Sequence, residues 1–173
     1  MKKNLVVLLL GVLCFACSQK MNDDYSVAVE IMKNGQYDNA IEIFNKVVSQ
    51  QSDDEVKSNA LYNIGFCYGL KNDYDKEIEY YKKAIEAYPS CQPALYDLGM
   101  IYYKNSDLDN SLKLFEQLKD VNPEHEGAYY MIGVIHRDLG NKEDMIINLQ
   151  NAVELGSTDA ENLINKIEHE MQG

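Results

Sequence analysis

Basic residues are scarce in this chain. Sixteen lysines and arginines stand against 28 aspartates and glutamates, for a net charge of −12. A surface of that sign repels phosphate backbones, which argues against nucleic acid as a partner, and it gains nothing from anionic lipid. Long apolar runs are also missing. The strongest, Leu5 to Leu13, is well short of the roughly 20 residues that a spanning helix needs. Histidine occurs three times, as His125, His136 and His169, without metal-ligand spacing. No HExxH pair, GxSxG elbow, phosphate loop or CxxC unit is present, and the carboxylates fall at spacings of solvated helix faces. The expectation is a protein that is not an enzyme, with no metal and no cofactor. Beyond the first 17 residues only Cys67 and Cys91 remain. Cys67 reads as a small buried hydrophobe in mid-helix and Cys91 as an exposed thiol in a turn about a helix-length away, so no bridge between them is expected.

The first residues read as an address. Lys2 and Lys3 precede the apolar segment, and Ala16 precedes Cys17 and Ser18. This is a secretory signal, and the Ala16-Cys17-Ser18 step resembles a bacterial lipoprotein processing site, where the cysteine is freed and acylated. That pattern prefers Leu three residues before the cysteine, where this chain has Cys14. Ordinary secretion or an uncleaved anchor are the alternatives. Loss of Lys2 and Lys3 with the signal leaves 14 basic residues against 28 acidic ones, a mature charge of −14. A covalent lipid at Cys17 would then have to hold the protein at the membrane. Ser18 lacks the aspartate that can retain lipoproteins at the inner membrane, so by resemblance the outer membrane is favoured.

What fills the rest of the chain is a phrase repeated every 34 residues. Leu61, Ile64-Gly65, Tyr68, Tyr74, Tyr81, Ala84 and Pro89 recur as Leu95, Leu98-Gly99, Tyr102, Leu108, Phe115, Leu118 and Pro123. They recur again, with drift, as Tyr129, Ile132-Gly133, His136, Lys142, Leu149, Ala152 and Ser157. An earlier unit, 21–52, carries Ala28, Ile31, Gly35, Tyr37, Ala40, Phe44 and Val47. A fixed period of this length means stacked supersecondary units. Apolar residues three and four apart make one buried stripe per helix. Gly65, Gly99 and Gly133 sit mid-helix, where glycine costs about 1 kcal/mol relative to alanine, which points to close helix contact. Asp73, Asp107 and Asn141 stand ready to cap second helices, and Pro89 and Pro123 to stop them. After Ser157, the residues Ala160, Leu163, Ile164, Ile167 and Met171 form one apolar stripe, read as a capping helix that closes the open end of the core. A partner-binding helix is the sharper alternative.

The stretch 58–91 resembles a tetratricopeptide repeat almost position for position, 92–125 and 126–159 follow in register, and 21–52 is an offset fourth copy. The resemblance implies an all-α fold, a right-handed α-solenoid of about four antiparallel helix pairs. The organisation is then a signal peptide at 1–16, a tether at 17–23, a solenoid at 24–156 and a capping helix at 157–172. So short a tether would keep the stack within roughly 25 Å of lipid.

In that family the first helix of each pair lines a concave face where extended peptides lie. The matching positions are Tyr25, Tyr62, Tyr96 and Tyr130, with Phe66, Met100 and Val134 beside them and Tyr103, Lys104 and Arg137 a turn further on. Tyrosine suits such a surface because its ring supplies contact area at low entropic cost. The same rings can instead serve only to pack neighbouring repeats. The family's charged clamp for a peptide carboxylate is missing. Glu77 falls where the family usually has Ala, and its stem is expected to carry the carboxylate out to water. The leading reading is a membrane-tethered adaptor that binds a protein or peptide segment in a tyrosine-lined groove during cell-envelope assembly. Architectural self-association and glycan or small-ligand binding are the other two.

Overall fold

A computed structural model describes residues 24–172, all of whose regular structure is helical. The signal peptide, Cys17, the tether and the side chain of Met171 lie outside the described residues. The chain divides into two compact units, one up to Cys91 and one from Gln92.

The first unit holds α1 (24–33), α2 (Tyr37–Gln50), α3 (Asp54–Leu70) and α4 (Tyr74–Ala87). Its core gathers Ala28, Ala40, Phe44, Val47, Ala60, Ile64 and Cys67, with α2 against α3 and α3 against α4. The second unit holds α5 (Gln92–Lys104), α6 (Leu108–Val121), α7 (Glu126–Asp138), α8 (Lys142–Glu154) and α9 (Thr158–Gln172). Each of these helices packs on the next, over a core that includes Leu95, Leu98, Phe115, Leu118, Ile132, Ile135 and Leu149. These are the stripe positions of the 34-residue phrase, so hydrophobic burial follows the periodicity directly.

The mid-helix glycines mark the tightest contacts. A Cβ on Gly65 would lie 2.8 Å from Tyr81, one on Gly99 2.9 Å from Phe115, and one on Gly133 2.8 Å from Leu149. In each hairpin the second helix seats its largest buried side chain where the first helix has none. The turns repeat as well: Asn72, Ser106 and Gly140, again 34 apart, all have positive φ. Asp73 and Asp107 accept the amides of Lys76 and Asn110 at 3.4 and 3.3 Å, as expected of caps. Asn141 does not cap α8, because its amide turns to His136 Nδ1 at 3.3 Å. The second helices α4 and α6 end at Ala87 and Val121, and Tyr88 and Asn122 are extended just before Pro89 and Pro123.

The residue facing the first helix varies from repeat to repeat. Ala40 is simply buried, and Ser111 donates its hydroxyl to the Gly99 carbonyl at 2.8 Å. Met145 fills the space with a flexible side chain. Glu77 corrects the expectation of a side chain carried out to water. It is half-buried, it accepts the Tyr81 hydroxyl at 3.2 Å, and its carboxylate lies over Gly69. Tyr81 is sealed at 1% exposure, so this carboxylate supplies the acceptor that a buried hydroxyl needs. Cys91 is a second correction: the thiol is buried at 3% exposure, because the turn folds it back into the unit. Cys67 is buried as expected, and both thiols are free.

Candidate functional site

The expected surface is carried by the first helices, α1 and α3 in the first unit and α5 and α7 in the second. The four tyrosines do not share one environment. On α1, Tyr25 sets its ring edge-on to Phe44 at 5.7 Å, and its hydroxyl accepts Asn63 Nδ2 at 2.9 Å. Burial pushes its titration upward, while the Asn63 bond works the other way. Tyr25 is therefore held into the packing of its own unit.

On α3 the spacing of four places Tyr62, Phe66 and Leu70 on one face. Tyr62 stacks on buried Tyr81 at 5.3 Å and on Phe66 at 6.3 Å. Phe66 and Leu70 stay 37% and 45% exposed. An exposed Phe beside an exposed Leu, braced from below by two tyrosines, is a rigid apolar stripe.

In the second unit, Tyr96 packs edge-on to Phe115 and stacks on His125, both at 5.6 Å. Burial raises its titration, helped by acidic neighbours led by Asp97 and Glu126. His125 is held in turn, its Nδ1 accepting the Ala128 amide at 3.2 Å. Tyr130 is half-buried and packs toward the α8–α9 core. Met100 is also half-buried. Val134 departs from its expected place on the surface. At 5% exposure it belongs to the core of its unit, because the α7 stripe there is broad and runs without a gap from Met131 to Ile135.

The expected edge charges also differ from one another. Arg137 donates through Nε and a terminal nitrogen to Asp138 Oδ1 at 2.9 and 2.8 Å. Tyr103 donates to the other oxygen of the same carboxylate at 2.7 Å. Burial alone would raise Asp138, but these two donors outweigh it and hold its carboxyl below the usual range. The bond to Asp138 is the main reason that the Tyr103 hydroxyl titrates higher than usual. The Arg137 charge is thus already matched by Asp138. Lys104 is exposed and, among the described residues, makes no ion pair.

Among the described residues there is no group of three or more His, Cys, Asp or Glu side chains placed to hold a metal ion. Nor is any of their helices long and apolar enough to cross a membrane.

Hairpins of this geometry, each seating a large buried side chain against a glycine at a 34-residue period, agree with two family matches. Residues 26–90 and 96–160 each match a tetratricopeptide repeat model. The chain belongs to the tetratricopeptide repeat family. Its fold is the all-α solenoid fold of that family. The crystal structure of MamA is 21% identical, with 82% of this chain and 81% of that chain covered at a TM-score of 0.66. YrrB, described as a tetratricopeptide protein with an unusual peptide-binding site, is 20% identical over 86% of this chain and 76% of its own, at a TM-score of 0.62. A tetratricopeptide protein from Parabacteroides merdae is 17% identical over 82% and 56%, at a TM-score of 0.70. At these identities the likeness is one of fold. No curated protein matches. Tetratricopeptide repeats are in general non-enzymatic modules of protein–protein interaction, and this chain is built from them along most of its described length.

Proposed function

We propose that this tetratricopeptide protein is a membrane-tethered adaptor that binds an extended segment of a partner protein in cell-envelope assembly. The observation that carries the reading is the Tyr62–Phe66–Leu70 stripe, which α3 presents and its unit leaves open. A partner's apolar side chains would bury Phe66 and Leu70 at little entropic cost, since stacking has already restricted the rings. In the second unit the corresponding face runs through Tyr96, Met100 and Tyr103 to Lys104, and from Tyr130 to Arg137. There Lys104 offers a charge for specificity, whereas Arg137 acts together with Asp138 and Tyr103. Acylation of Cys17 would supply the tether, and Ser18 favours the outer membrane.

Photo-crosslinking in whole cells tests the adaptor. A crosslinking residue in place of Phe66, Tyr103 or Tyr130 is expected to trap one abundant protein, while the same residue at Tyr74, 60% exposed and carried by α4, traps none. Equal yields at all four positions would remove the basis for the reading. The tether is checked separately: labelled fatty acid should enter the wild-type chain and not the Cys17→Ala variant.

A further inference from the structure

A different apolar surface lies at the end of the second unit. A groove of about 450 Å³ runs between α8 and α9, floored by Met145, Ile146, Ile164 and Ile167. Ile146 stays 48% exposed in this groove, one of the eight large apolar side chains left exposed among the described residues.

The shape of α9 narrows the choice of occupant. Ala160, Leu163, Ile164 and Ile167 lie 32 residues after Ala128, Met131, Ile132 and Ile135, so α9 repeats the stripe of α7 and stands as the first helix of a further hairpin. The same offset carries Gly133, the seat of Leu149, onto Asn165. A side chain therefore blocks the place where a second helix would nest. The groove is not built to extend the stack by one more tightly seated helix.

Charge then points to one partner. A short turn joins α8 to α9, so the last turns of α9 lie beside the start of α8. Lys142 stands on the α8 wall and Glu168 on the α9 wall. Neither forms an ion pair among the described residues, whereas nearby Arg137 is taken by Asp138 and Glu170 lies 4.0 Å from Lys166. A two-fold axis along the groove exchanges the walls, so that each Lys142 meets the partner subunit's Glu168 over a shared apolar floor. The surface is thus self-complementary, the requirement for an isologous contact. We propose that the α8–α9 groove is closed by the same groove of a second copy of this chain, and that this dimer contact is separate from the partner-binding stripe on α3.

The test is cysteine crosslinking of the full chain in cells with a short bis-maleimide. The native Cys67 and Cys91 are buried, and the unsubstituted chain reports any background from the remaining cysteines. Ile146→Cys is expected to give a band at about twice the 19.8 kDa chain mass, where neither the unsubstituted chain nor Tyr74→Cys does. Added to Ile146→Cys, either Lys142→Glu or Glu168→Lys should lower that band several-fold. The two charge changes together should restore it, which a simple loss of folding would not allow. No band above the controls, a crosslink to a protein of different mass, or failure of the double exchange to restore the band would each overturn the proposal.

Discussion

Replacing Gly65 by alanine tests how tightly the hairpins are locked. A new Cβ would lie 2.8 and 2.9 Å from two ring carbons of Tyr81 and 3.2 Å from the Glu77 carbonyl oxygen. The ring cannot swing away easily, because Tyr62 stacks on it at 5.3 Å and its hydroxyl is bonded to Glu77. Overpacking of this kind costs about 1–3 kcal/mol, and the better helix propensity of alanine returns about 1 kcal/mol. The expected net loss is up to about 2 kcal/mol. Gly69→Ala is the matched control. Its Cβ would meet the Glu77 carboxylate, starting at 2.5 Å, which is the far end of a flexible, half-buried side chain and can shift where a clamped ring cannot. That variant should lose clearly less, because the propensity gain of about 1 kcal/mol offsets the weakening of one hydrogen bond worth about 1 kcal/mol. In urea melts followed by far-ultraviolet circular dichroism, a slope of about 2 kcal/mol/M turns the Gly65→Ala loss into a midpoint lower by up to about 1 M. If Gly65→Ala melts at or above the wild type, or Gly69→Ala falls as far as it does, the close-approach argument fails.

Three other outcomes follow from the structure. Asp53 accepts the amides of Glu55 and Val56 at 3.0 and 3.1 Å, so Asp53→Ala should cost about 1 kcal/mol in the same urea melts. Burial pushes the Cys67 thiol from its ordinary 9.0 up to about 11. The folded state keeps that proton while the unfolded chain releases it, so stability should be intact below pH 9 and decline as pH rises toward 11; Cys67→Ala should flatten that decline in melts taken across the range. Tyr103→Phe removes one of the donors that hold Asp138 low, so the Asp138 carboxyl should titrate at a higher pH than in the wild type, read from its carbon-13 shift.

The periodicity was legible because burial acts on every repeat in the same way: Leu61 and Ile64 on α3, and Tyr81 and Ala84 on α4, keep their stripes whichever neighbour covers them. The glycines were legible for a related reason, since a cost paid at Gly65, Gly99 and Gly133 implies a return at each. The site was less so. Tyr25 and Tyr62 occupy one position of the repeat, yet Asn63 ties down the first while the second is left to brace Phe66. Such differences arise from side chains distant in sequence, which a repeat alignment averages away. Arg137 looked like a free edge cation because its partner is its own neighbour, and adjacent helical residues do not ordinarily face each other. Cys91 looked exposed because turns usually are. Its burial comes from the fold of the whole unit, a long-range effect that no local pattern carries.

The seat at Gly65 takes Tyr81, that at Gly99 takes Phe115, and that at Gly133 takes Leu149, so every clasp joins residues 16 positions apart. During synthesis each one can shut as soon as those 16 further residues have left the ribosome, without waiting for any distant part of the chain. A nascent chain of this kind never has to hold more than about one hairpin of apolar surface unsheltered at a time.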